Sequence, residues 1–77
     1  MRVFWSNDAT DRLDELGALS LELPNAVESE IAVMFADAVP SSARLASPAG
    51  ALLVTLPCGV EAVFERTGDG VVLLSLN

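Results

Sequence analysis

A chain of 77 residues makes a single domain spanning residues 1–77, because at this length only about 60% of the unfolded surface is buried on folding and a second core has no room. Eleven acidic residues face four arginines, with no lysine and no histidine, for a net charge of −7. That balance disfavours direct binding to nucleic-acid phosphates; the lone Cys58 and the missing histidine leave no internal disulfide and no zinc site of the usual kind; and no stretch approaches the ~20 apolar residues of a membrane span.

Residues 2–5 read as a first strand, one β-branched residue and two aromatics, stopped by Ser6, Asn7 and Asp8. All three are good helix N-caps, and Asp8 and Asp11 suit the positive end of a helix dipole. The helix that follows carries Ala9, Leu13 and Leu16 on one face. Beyond Gly17 two spacings compete. Leu19, Leu21 and Leu23 alternate as in a strand, while Leu16, Leu19 and Leu23 keep helical spacing. Leucine and glutamate favour helix to about residue 22, with the strand alternative for 18–23 left open. Gly17 weakens such a helix by ~1 kcal/mol.

Pro24 is expected to end that element, and Asn25 with Glu28 resembles a capping box for a second helix. Val27, Ile31, Met34, Phe35 and Ala38 then form an apolar stripe, suited to core packing and, less commonly, to docking a partner. Residues 40–50, with two prolines and three serines, read as a loop. Three strands are expected at 51–56, 60–66 and 71–76, joined by turns at Pro57-Cys58-Gly59 and at Thr67-Gly68-Asp69-Gly70. In the middle one, Val60, Ala62 and Phe64 face one way and Glu61, Val63 and Glu65 the other. The unbroken apolar runs of the outer two mark central strands, buried on both faces or covered by a partner. The fold class is therefore α+β: two N-terminal helices packed on one face of a four-stranded, mainly antiparallel sheet in the order βααβββ.

Chemistry is hard to find. Ser41, Ser42 and Ser47 have no histidine base, and Cys58 has no adjacent cation to activate it. Glu61 and Glu65, four apart on a strand, lie ~13 Å from each other, beyond the roughly 5–9.5 Å of a glycosidase-type pair. They read as a solvated strand face, with Arg66 a surface charge beside the turn. No partner is evident for Arg2 or Arg44. Gly68-Asp69-Gly70 is a hairpin turn and not a phosphate cradle, so no cofactor and no metal are expected.

The spacing of Trp5, Ser6, Ala9, Leu13 and Leu16, together with the run from Val60 to Leu74 through Asp69 and Gly70, resembles the RelE/ParE toxin superfamily over nearly the whole chain. The resemblance implies the βααβββ fold. It also implies, in the branch that cleaves messenger RNA, basic residues and tyrosine on the sheet and after the last strand, which stabilise a phosphorane-like transition state. Here those positions are Glu61 and Glu65, tyrosine is absent, and Asn77 directly follows the last strand. Carboxylates facing a phosphate raise that barrier, so ribonuclease activity, and enzymatic activity generally, is not expected.

Two functions are left, beside a third reading of the chain as a toxin relic or a small folded domain with neither. The first is a non-catalytic RelE/ParE-like toxin-fold protein acting by protein–protein binding, with an antitoxin or an inhibited host target such as gyrase as partner. Glu61, Glu65 and Arg66 are its candidate partner-binding residues, and a second copy of the chain is a further candidate partner because 52% of the residues are hydrophobic. The second is a small acidic inhibitor of phage or mobile-element type, such as an anti-CRISPR protein, that blocks the basic nucleic-acid-binding site of a protein partner. Solubility alone also explains a charge of this size. Only Val3, Phe4 and Trp5 are consecutively apolar near Met1, which does not fit a signal peptide, and a cytoplasmic location is expected.

Overall fold

The computed structural model of the chain describes residues 1–46 and 50–77. Strand β1 (Arg2–Trp5) leads into helix α1 (Asn7–Leu19), helix α2 (Leu23–Met34) and four further strands: β2 (Arg44–Ala46), β3 (Ala51–Thr55), β4 (Glu61–Arg66) and β5 (Gly70–Leu76). The sheet runs β1-β5-β4-β3-β2, with β1 parallel to β5 and every other pair antiparallel. The α+β class with two helices and a mainly antiparallel sheet stands, but the sheet has five strands and the order is βααββββ.

The additional strand lies where a loop is expected. Arg44, Leu45 and Ala46 pair with Leu53, Leu52 and Ala51. Three residues are too few for period-two alternation to show, and what makes them a strand is the exposed edge of β3. Ser47 and the rest of 47–49 lie outside the described residues.

Ser6 starts α1 as expected: its hydroxyl accepts from the Ala9 N–H at 3.1 Å and donates to the Leu74 carbonyl at 3.1 Å, tying the helix to β5 while capping it. The helix stops at Leu19, not near 22, and Leu21 stands 90% exposed in the turn that follows. Pro24 does not end an element. It sits in the first turn of α2, where its missing N–H goes unneeded. Glu22 is the N-cap residue and makes no side-chain capping bond, so Asn25 and Glu28 do not act as a capping box. Gly17 is explained by the same corner: a Cβ there would lie 3.1 Å from the Pro24 ring. The glycine lets α2 fold back closely on α1.

The core lies between the helices and one face of the sheet. Ala9 and Leu16 of α1, Val27 and Ile31 of α2, and Phe35 just beyond it meet Val54, Ala62, Phe64, Val71, Leu73 and Leu76. Phe35 and Phe64 pack edge to face with ring centroids 4.9 Å apart. Met34 is half-buried and Ala38, past the end of α2, is exposed, so the predicted stripe holds through Phe35 and stops there. A register shift opposite Val63 and Phe64 leaves Leu74 unpaired, a bulge that keeps both Leu73 and Leu76 on the core face. At the start of β5, Gly70 lies directly under the backbone of Arg2; a Cβ there would overlap the Arg2 carbonyl. β1 can dock only beside a glycine.

Candidate functional site

The sequence-predicted residues do not form one site. Alternation along β4 puts Glu61 and Glu65 on the sheet face opposite the helices, and Arg66 on the other. Arg66 is exposed and lines a shallow recess of about 310 Å³ with Met1, Val39 and the 67–70 turn. Glu61 is engaged by Arg44, whose guanidinium reaches across β3 to 3.5 Å. Arg2 likewise meets Asp69 at 3.4 Å and lies over the Phe4 ring. These two arginines thus have partners that their sequence positions did not reveal. All these charges are largely exposed, so each pair contributes at most about 1 kcal/mol.

With the helices on one face, the opposite face of the sheet is open. Its surface is built from Arg2 and Phe4 on β1, Val72 and Ser75 on β5, Glu61, Val63 and Glu65 on β4, Leu53 and Thr55 on β3, and Arg44 on β2. Phe4 is 44% exposed, and Val72, Val63 and Leu53 are half-buried. The runs at 51–56 and 71–76 do occupy inner strands, buried deeply on the core face; on the opposite face Ala51 is buried and Leu53, Val72 and Ser75 are half-buried.

The helical exterior differs sharply. Residues 6–40 hold eight carboxylates, Asp8, Asp11, Asp14, Glu15, Glu22, Glu28, Glu30 and Asp37, against one arginine, Arg12, which is the full −7. The rest of the chain balances, with Arg2, Arg44 and Arg66 against Glu61, Glu65 and Asp69. Seven of the eight helical-layer carboxylates are exposed; Glu30 is half-buried. A charge that looks diffuse when summed is concentrated in the helical layer, residues 6–40. Counting charge in windows along the sequence would have revealed it.

Two polar residues of this layer hold it to the sheet. Arg12 donates to the Leu76 carbonyl at 3.3 Å and pairs with Glu15 at 2.9 Å. The Glu30 carboxylate accepts the Cys58 N–H at 2.9 Å, anchoring the β3–β4 turn. Burial pushes the Cys58 thiol above its ordinary pKa, and the nearby Glu30 carboxylate pushes the same way, against the lowering effect of backbone hydrogen bonds. The thiol is therefore neutral and unreactive near pH 7. Beside this anchor, Val33, Met34, Pro57, Ser29 and Glu30 line an apolar groove of about 210 Å³, with Val33 77% exposed. Among the described residues, no three histidine, cysteine or acidic side chains gather as a metal site would require, and no helix is long and apolar enough to cross a membrane. No protein-family model, no curated protein and no solved structure matches the chain.

Proposed function

We propose that this protein works by binding another protein through the exterior of its helical layer, with no chemistry of its own. The observation that carries this reading is the concentration of eight of the eleven carboxylates, against Arg12 alone, in residues 6–40, which build that exterior. A patch of one sign accelerates encounter with a basic partner and disfavours acidic ones. The groove at Val33, Met34 and Pro57 supplies an apolar contact beside the charge.

Within the RelE/ParE resemblance, this is a toxin-fold protein that acts by binding. Glu61 and Glu65 stand where a ribonuclease of that kind carries cations, and the partner is an antitoxin or an inhibited host target such as gyrase. Expression in a bacterial host is expected to arrest growth. Val33→Asp, which places a charge in the groove while leaving the core intact, is expected to relieve the arrest. Harmless expression of the unmodified chain counts heavily against the toxin reading.

The charge distribution also favours a second reading, an acidic inhibitor that occupies a basic nucleic-acid channel of its partner. Affinity capture from host lysate at low and high salt separates the two. An inhibitor of this kind retains a nucleic-acid-binding protein at about 50 mM salt and releases it by about 500 mM, as the Debye length falls well below 10 Å. Capture insensitive to salt sinks the inhibitor reading.

A further inference from the structure

We infer that the open face of the sheet is a self-association surface, on which a second copy of this chain packs face to face. This goes beyond the proposed function and does not depend on it. The first ground is charge. Two bodies of −7 repel, but on the open face Arg2 and Arg44 balance Glu61 and Glu65, so the excess charge lies away from that face. Packed sheet against sheet at about 10 Å, with each helical layer about 10 Å behind its own sheet, the two acidic exteriors stand roughly 30 Å apart. At 0.15 M salt that is several Debye lengths of about 8 Å, so the repulsion is screened. Any approach through the helices sets the two acidic layers in contact.

The second ground is complementarity. Acidic residues occupy the middle strand of the open face, Glu61 and Glu65 on β4, and arginines flank it, Arg44 on β2 and Arg2 on β1. Stacking β4 on β4 would oppose glutamate to glutamate. A two-fold arrangement that sets β4 of one copy over β2 of the other brings Arg44 between Glu61 and Glu65 of its mate, and symmetry repeats the contact. Arg44 already reaches across β3 toward Glu61 within its own chain, so the side chain projects over this face. Leu53 and Val63, half-buried and lying between these charges, form the apolar centre.

The third ground is area. In that arrangement β2, β3 and β4 lie over their counterparts, fourteen residues in strands about 4.8 Å apart, or roughly 220 Å² of plane. A standard stable interface takes about 800 Å² per partner, so the surface fits a weak, reversible dimer. The dissociation constant expected is on the order of 10–1000 μM, the regime of small transient contacts.

Sedimentation equilibrium on the full chain, from about 10 μM to 1 mM at 0.15 M salt, tests this. The mean mass is expected to rise toward twice the monomer value with concentration. Val63→Glu and, separately, Glu65→Arg are expected to raise the dissociation constant at least tenfold; thermal melting verifies that each variant folds, and Glu65→Arg leaves the apolar residues in place. Val33→Asp on the helical side is expected to leave dimerisation unchanged. A wild-type chain that is monomeric at 1 mM overturns the inference. So does a dimer broken by Val33→Asp, or one broken by Leu45→Asp on the edge strand while Val63→Glu has no effect, since that pattern means edge-to-edge pairing.

Discussion

The two exteriors of this protein differ more than its two layers do. The helical layer carries eight carboxylates and a single arginine; the open sheet face sets Arg2 and Arg44 against Glu61 and Glu65. Among the described residues the helical side has a small apolar groove, whereas the sheet face sets half-buried Leu53, Val63 and Val72 among charges of both signs. Behind both lies one shared core. The difference teaches that net charge in a small domain is a property of a surface, and that one chain can present one face to basic partners and another to its own kind.

The sharpest way to break the comparison is to remove what the two sides share. Phe64→Ala deletes the ring that packs edge to face on Phe35 at 4.9 Å, at a fully buried site. A loss of about 3–5 kcal/mol is expected, most of the stability of so small a domain. Denaturation followed by circular dichroism and by Trp5 fluorescence is expected to show a single coincident transition. Separate transitions for helix and sheet would mean that the layers fold independently.

Gly70→Ala acts on the sheet alone. The new methyl collides with the Arg2 backbone, so β1 must shift or detach, at a cost of about 1–3 kcal/mol. Gly68→Ala, two residues away with open space around it, is expected to change stability by no more than about 0.5 kcal/mol. Equal losses in the two variants would place the effect in the turn and not in the β1 contact. Hydrogen exchange of the β1 amides distinguishes these outcomes residue by residue.

Particular residues show how far the sequence could be read. The alternation of β4 was legible because the strand is buried on one face, and period-two patterning is the direct imprint of that geometry. Val27, Ile31 and Phe35 were legible for the corresponding reason on a helix. β2 was not, because three residues carry no period and their pairing is decided by the edge of β3. Pro24 reads from sequence as a stop because a proline marks the end of one helix and the first turn of the next equally well; only the close contact with Gly17 decides. Glu61 and Glu65 share the open face, while alternation sends Arg66, adjacent in the chain, to the other. The functional surface proposed here was written in the sequence as a block of acidic residues over 6–40, which the overall sum concealed.

The tie between the layers gives effects of intermediate size. Glu30→Ala removes a charge-assisted acceptor from the Cys58 N–H and is expected to cost about 1.5 kcal/mol; Glu30→Gln, which keeps an acceptor, is expected to lose less. Burial of the Cys58 thiol, with the Glu30 carboxylate beside it, makes a pH signature. The folded thiol titrates above its unfolded value, so its contribution to stability is present below the ordinary thiol range and is lost as pH rises through the raised value. Cys58→Ser is expected to flatten the alkaline limb of the stability curve. A limb of unchanged slope would assign the decline to other groups.

The smallest expected effect addresses the charge asymmetry directly. On α1, Asp11 has Asp8 and Asp14 three residues away and Glu15 four away, so it sits among three like-charged neighbours on one helix surface. Each such pair destabilises an isolated helix by about 0.2–0.5 kcal/mol. Asp11→Asn should therefore stabilise the protein by a few tenths of a kcal/mol or somewhat more, and the gain should shrink at 1 M salt as the repulsion is screened. Glu65→Gln on the balanced sheet face has no such crowd to relieve, and its melting temperature should stay close to wild type in both salts. A protein that keeps Asp11 despite this cost holds charge where stability alone would not place it, which is the pattern of a surface shaped for a partner. Equal gains from both substitutions would show that the −7 acts on the domain as a whole, and the division between its two faces would lose its physical basis.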